Sequence, residues 1–297
     1  MELRHLRYFR AVAEELHFAR AAERLHIEQS PLSRAIKELE EELGVKLFVR
    51  TTRSTQLTRT GKLFLDHVSR VLAVLQQARD SVQSVANGYH DQLRIVLSDG
   101  ITPVRLSTLL ALCRQEEPEV DIRLFEMPLF QQIQGLQDEL YDVGFALSDA
   151  VGEHIIAEPV WSEPLMVAVP ARHPLLAYSQ IPLDEVLRYP LVMCDPRVCE
   201  GHARQVAQEP LIAEQVISFD LMMTLVSAGF ALGLADVSHI AASRALGVVA
   251  RPLAGKTPMM TTYLLRHVGD PPETVARFIE RLDALAWADD NSPDGVT

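Results

Sequence analysis

Long apolar runs are missing from this 297-residue chain; none approaches the ~18 residues that a membrane-crossing helix requires. Cysteine is scarce. Three residues, an odd number, argue against a disulfide framework and for a reducing cytoplasm. Aromatics reach only 6%, in a composition that reads as an ordinary soluble protein. The start, MELRHLRYF, is broken by charges and lacks the apolar stretch of a signal peptide. Catalytic signatures are missing too: no HExxH, no GxSxG, no CxxC and no Gly-rich phosphate loop. His202, His239 and His267 stand in separate segments without metal-ligand spacing. The expectation is a non-enzyme with no catalytic residue, no metal and no cofactor.

What is present is asymmetric. The chain carries a net charge of −12, yet residues 1–90 hold 14 basic against 11 acidic residues. The remainder holds 14 against 29. A small basic block on a large acidic one points to a nucleic-acid module joined to something else. The length allows two or more domains.

In the basic block, Leu3, Leu6, Phe9, Val12 and Ala13 recur at helical spacing, and a short helix follows over Ala19 to Leu25. Next comes IEQSPLSRAIKELEEELG. Ser30 is suited to an N-cap and Pro31 to the first helical position. Leu32, Ile36, Leu39 and Leu43 form one stripe, and Gly44 is a stop. Ser33, Arg34 and Lys37 fall on the opposite face, with Glu38 and Glu41 further along. In a helix-turn-helix that end of the second helix reads base edges in the major groove. The segment KLFVRTTRSTQLTRTG reads as a two-stranded wing with Leu47, Val49 and Leu57 packed and Arg50, Arg53 and Arg59 outward. From Thr58 a helix runs to Asn87-Gly88. Phe64, Val68, Val71, Leu75, Ala78, Val82 and Val85 make a heptad seam along about 30 residues, roughly 45 Å. A seam of that length calls for a partner helix.

Beyond residue 90, strand and helix patterns alternate through LRIVLSDG, LMVAVP, PLVMCD and FALGLAD, an α/β region with mostly parallel sheets. Ligands in such folds bind past the carboxyl ends of strands. Those ends carry Ser98, Asp99, Gly100 and Thr102, then Ser148, then Asp195, Pro196 and Arg197, then Ser218 and Phe219. Ser98 or Asp99 can equally serve only to cap the helix that follows.

The run from LRHLRYF to LTRTG resembles the winged helix-turn-helix of LysR-type transcriptional regulators, through RAAERLH, QSPLSRAIKELE, LGVKLFVR and LTRTG in order. The layout of nearly the whole chain fits. The resemblance implies a multidomain protein. Residues 1–58 would form an all-α winged helix-turn-helix, 59–90 a linker and dimerisation helix, and 91–288 a two-lobed α/β effector domain like a periplasmic binding protein. Lobe I would be 91–161 with 268–288, lobe II 162–267, and 289–297 a disordered tail. DNA contacts are implied for Gln29, Ser30, Pro31, Ser33 and Arg34, with Lys37 on the same face and Arg50 and Arg53 in the wing. The DNA would be a double-stranded partial inverted repeat. The chain would form a dimer of dimers and answer to a small organic co-inducer, with RNA polymerase as a further partner. The effector site is expected at the strand-end groups, with Leu129 and Leu147.

Four departures from the family pattern bear on function. Ala19 stands where a capping Thr or Ser is usual, and Glu28 where a small neutral residue is usual; both predict weaker, more salt-sensitive DNA binding. Leu129 and Leu147 stand where aromatic-acid-responsive members carry a hydroxyl and an Arg. The effector is therefore less anionic than a benzoate-like acid, or Arg197 or backbone N–H groups hold it. Asp236 replaces a common Pro. A competing reading makes Cys194 and Cys199 a redox pair, with Arg197 activating a thiolate. A periplasmic solute-binding protein is the other competitor, and the basic module speaks against it.

Overall fold

The computed structural model describes residues 1–50, 55–98, 100–194, 211–216, 218–255 and 257–290. The chain divides into two compact units, 1–87 and 88–297.

The first unit opens with helices α1 (Leu3–Glu15), α2 (Phe18–Arg24) and α3 (Gln29–Leu43). Strands β1 (Phe48–Arg50) and β2 (Thr55–Leu57) then pair antiparallel, and α4 (Arg59–Ala86) closes the unit. Its core is built from helix periodicity: Leu6, Phe9 and Val12 of α1 meet Leu32, Ile36 and Leu39 of α3. The Phe9 ring packs against Phe48 at 5.4 Å and Phe64 at 5.0 Å between centroids.

Several local expectations shift. Helix α3 begins at Gln29, so Glu28 rather than Ser30 is the N-cap, and Pro31 is the third helical residue. The N–H groups of the whole first turn lack intrahelical acceptors, so proline fits there as well as at the first position. The cap of α2 is His17, whose Nδ1 accepts from the Arg20 N–H at 3.3 Å. Ala19 is therefore not at the capping position. Leu43 is exposed, at the last turn where the stripe runs off the core. In the wing Leu47 and Leu57 pack on the core as expected, but Phe48 is buried as well and Val49 is exposed. Phe48 has rings to join, in Phe9 and Phe18.

Helix α4 starts at the Thr58 N-cap and ends at Asn87. Phe64 and Val68 of the expected seam serve the unit's own core, while Val71, Val82 and Val85 are exposed.

The second unit begins with β3 (Asp91–Leu97), α5 (Pro103–Glu116), β4 (Val120–Glu126), α6 (Leu129–Gln137) and β5 (Val143–Ala146). A 16-residue strand, β6 (Ile155–Pro170), leads out of this lobe. The second lobe contains α7 (Leu183–Val186), β7 (Leu191–Met193), β8 (Ile212–Gln215), α8 (Phe219–Ser227), β9 (Leu232–Asp236), α9 (Val237–Ala242) and β10 (Val248–Pro252). Strand β11 (Met259–His267) and α10 (Glu273–Asp290) follow. Among the described residues the strands run β4-β3-β5-β11-β6-β9-β7-β8, with β10 also on β6.

The sheet is mixed rather than mostly parallel. β3 pairs parallel with β4 and β5, and β7 with β8 and β9. All pairings of β6 and β11 are antiparallel. These two long strands carry the chain between lobes and back, which reverses their direction against the parallel sets. The first part of β6 pairs with β11 as far as Pro164, and from Leu165 it pairs with β9. Strand β11, which the sequence placed in lobe II, pairs with β5 through Tyr263–Arg266 while its Met260 packs in the second core, so it spans both lobes. Each lobe has its own core. Phe145, Trp161 and Phe278 anchor the first, and Leu165, Met222 and Leu234 belong to the second. Helix α10 runs through Asp290, past the expected end of the domain; residues 291–297 lie outside the described residues.

Candidate nucleic-acid interface and interlobe cleft

At the start of α3, Gln29, Ser30, Pro31 and Arg34 are exposed, as is Lys37, and Ser33 is half-buried. Ser33, Arg34 and Lys37 line one open groove together with Lys46, Glu40 and Phe48. Sequence reasoning missed Lys46; it precedes the wing and does not share the periodicity of α3. Lys37 pairs with Glu41 at 3.3 Å. Arg53 lies outside the described residues, and so does the side chain of Arg50.

Glu40 explains how helix and wing are joined, and it too was missed. It is buried, one turn before the Gly44 stop. Its Oε1 accepts from the backbone N–H groups of Leu47 at 2.9 Å and Phe48 at 3.2 Å. Its Oε2 accepts from Lys46 Nζ at 2.7 Å. Burial alone would raise its pKa. The Lys46 ammonium and the two N–H groups outweigh that and hold the carboxyl below the usual range, so it is ionised. From the other side Thr58 Oγ1 donates to the Lys46 carbonyl at 2.8 Å and accepts from the Gly61 N–H at 2.8 Å. A Cβ on Gly61 would sit 2.1 Å from the Leu47 carbonyl oxygen, so only glycine fits. The Leu-Thr-x-x-Gly pattern thus has a physical meaning: the cap of α4 grips the root of the wing.

In the second unit three expected residues come together. Gly100 adopts φ +87°, and a Cβ there would lie 2.4 Å from Phe219 Cε2 and 2.9 Å from Leu147 Cδ1. Phe219 opens α8 in lobe II, and Leu147 packs against the cores of both lobes. The facing groups therefore touch. Thr102 is buried at the N-cap of α5, without a side-chain cap bond. Other expected residues have local duties. Ser98 Oγ donates to the Phe145 carbonyl at 3.3 Å, and Ser148 Oγ accepts from the Ala150 N–H at 3.2 Å. Leu129 begins α6 and packs with Val96 and Leu136, not with the Gly100 group. Asp99, Pro196 and Arg197 lie outside the described residues, as does Cys199. Cys194 is half-buried.

Beside this contact runs a chain of ionisable groups. The His239 ring lies 4.6 Å from the Phe219 ring. His239 contacts Asp236, and Glu163 accepts from Arg105 Nε of α5 at 3.0 Å. Asp236, expected only to change a pocket wall, caps α9 by accepting from the His239 N–H at 2.9 Å.

Among the described residues no cluster has the makings of a metal site, and no helix is long and apolar enough to cross a membrane.

An exposed helix-turn-helix second helix with an attached wing, followed by a two-lobed α/β domain, is the layout of a class of DNA-binding regulators. Residues 3–62 match the bacterial regulatory helix-turn-helix family of LysR type, and residues 86–286 match the LysR substrate binding domain. The chain is 36% identical over 246 residues to the uncharacterized HTH-type transcriptional regulator YnfL of Escherichia coli K12, covering 80% of this chain and 83% of that protein. It is 30% identical over 291 residues to the Hca operon transcriptional activator HcaR of the same organism, covering 94% and 96%. The crystal structure of full-length CbnR with its target DNA superposes with a TM-score of 0.76 at 27% identity, over 96% of this chain and 100% of that one. The chain belongs to the LysR family of transcriptional regulators, with a helix-turn-helix DNA-binding domain and a substrate-binding domain.

Proposed function

We propose that this protein binds a partial inverted repeat of double-stranded DNA in a sequence-specific manner and alters transcription in response to a small organic effector. The observation that carries the DNA reading is the exposed set Gln29, Ser30, Pro31, Ser33, Arg34 and Lys37 on α3, in one groove with Lys46 beside the wing. Arg34 is placed to reach a base edge, while Lys37, Lys46, Arg50 and Arg53 neutralise phosphates. The uncapped N-terminus of α3 adds its own attraction for a phosphate. The exposed valines of α4, Val71, Val82 and Val85, pair two subunits, and a second contact between effector domains makes a dimer of dimers. Residues 1–58 read DNA, 59–90 link and dimerise, and 91–288 sense. The protein works in the cytoplasm with RNA polymerase and catalyses nothing itself.

The effector enters at Gly100, Leu147 and Phe219, with Ser98, Thr102 and Ser148 at the neighbouring strand and helix ends; Asp99, Pro196 and Arg197, expected from the sequence, complete the candidate set. Binding moves the Phe219 ring off Gly100 and shifts the lobe angle. The ligand acts only through its different affinity for the two arrangements. The test is a gel shift on the intergenic DNA beside the gene, at two salt concentrations, with wild type, Arg34→Ala and a scrambled duplex. Specific binding by wild type that Arg34→Ala loses supports the reading; equal binding to both duplexes rejects it.

A further inference from the structure

The carboxyl groups of α3 and its cap fall into two sets. Further along the helix each one has a partner inside the protein. Glu38 lies 3.9 Å from His5 Nε2, and Glu40 holds Lys46. Glu41 pairs with Lys37, and Glu42 with the Met1 amino group. Glu28, the N-cap, is different. Its side chain is exposed and makes no cap bond, and it has no ion pair among the described residues.

The place of Glu28 limits what can answer it. Ser33, Arg34 and Lys37 line the open groove, and one turn earlier Gln29 and Ser30 are exposed on the same side of the helix. Glu28 directly precedes them. In a helix-turn-helix this end of the second helix meets base edges. A carboxylate there is costly. It accepts hydrogen bonds and donates none, and the phosphates flanking the groove carry its own sign. The positive end of α3 offsets part of that cost. Only a donor on the DNA can offset the rest.

The four bases differ in what they offer. In the major groove guanine shows two acceptors, thymine an acceptor and a methyl group, and adenine an acceptor beside its amino group. Cytosine shows its N4 amino donor and no acceptor. A carboxylate at this point is bonded by cytosine and meets at least one repelling lone pair on each of the others.

We propose that Glu28 is a specificity-determining residue that reads one cytosine in each half-site through the N4 amino group. It lowers affinity for DNA in general and concentrates what remains on sites with cytosine at that position. The departure of Glu28 from a small neutral residue then narrows the set of sites the protein occupies. The inference rests on the proposed placement of α3 in the major groove.

The experiment is a competition gel shift with the full chain and the intergenic duplex, each half-site base pair being replaced in turn by the other three. Wild type, Glu28→Ala, Glu28→Gln and Arg34→Ala are compared. Wild type is expected to favour cytosine about tenfold at one position, within the range of a single base contact. Glu28→Ala brings the four bases there to within about twofold of one another and raises affinity for a scrambled duplex. Glu28→Gln moves the preference to adenine, whose N6 and N7 match an amide that both donates and accepts. Base preferences of Glu28→Ala that equal those of wild type at every position overturn the proposal, as does a cytosine preference kept by Glu28→Gln. Weaker binding of scrambled DNA by Glu28→Ala also overturns it, since that marks a residue that only steadies the helix. Arg34→Ala separates this proposal from the reading beneath it. If Arg34→Ala relaxes a base position and Glu28→Ala relaxes none, the DNA reading stands and the role of Glu28 falls. If wild type binds all duplexes alike, both fall.

Discussion

The root of the wing and the lobe boundary both take a carboxyl group out of water, and they do it in opposite ways. Glu40 draws all its partners from the eight residues that follow it, two backbone N–H groups and one ammonium, and stays ionised. Glu163 takes Arg105 from 58 positions away, and burial with the nearby Asp236 charge pushes its carboxyl above the usual range. The first arrangement is a rigid joint with each charge answered. The second answers its acids with Arg105 and His239, which belong to separate elements. A buried charge satisfied locally makes structure; one left to distant partners makes a point of adjustment.

Substitutions can break this contrast in order of expected size. Gly61→Ala drives a methyl group into the Leu47 carbonyl and is expected to cost about 3 kcal/mol in urea unfolding, the upper end for overpacking. Glu40→Ala strands the Leu47 and Phe48 N–H groups and is expected to cost about 2 kcal/mol, with DNA affinity falling as the wing root loosens. Its pH signature is opposite to that of Glu163. Glu40 has a depressed value in the fold, so its contribution is present above the ordinary glutamate range and disappears as pH falls through the depressed one. If wild type and Glu40→Ala lose stability in parallel on acidification, the rigid-joint view is wrong.

Smaller effects sharpen the picture at the surface. Arg34→Ala is expected to weaken specific binding by about 1–3 kcal/mol and relax one base position, read by competition with base-substituted duplexes. Lys46→Ala should weaken binding to all sequences alike and lower the salt slope by about 1. An unchanged slope would remove Lys46 from the interface. Val82→Glu, on the exposed part of α4, should leave the melting of the effector domain alone while shifting the oligomer toward smaller species in sedimentation.

The readable parts share one property. Helix α3, its Gly44 stop and the long α4 are written in periodicity and caps within a few residues, where local physics governs. Errors there were small and had tertiary causes. Phe48 turned inward because Phe9 and Phe18 offered rings, and Phe64 and Val68 left the seam because their own core claimed them. In the effector domain the strands were found, but not that β11 spans both lobes, since a strand's pairing is not recorded in its own residues. Ser98, Ser148 and Leu129 sat at strand or helix ends as expected and yet were used for local bonds and packing.

The sequence by itself determined the module order, the polar face of α3 and the Gly44 stop, because each depends on neighbours within a few turns of chain. Only the tertiary structure decided that Gly100 is roofed by Phe219 and that Glu163 meets Arg105. Those contacts join segments far apart in the chain, and burial, which removes the water that would otherwise answer each charge, comes only when the lobes close on one another.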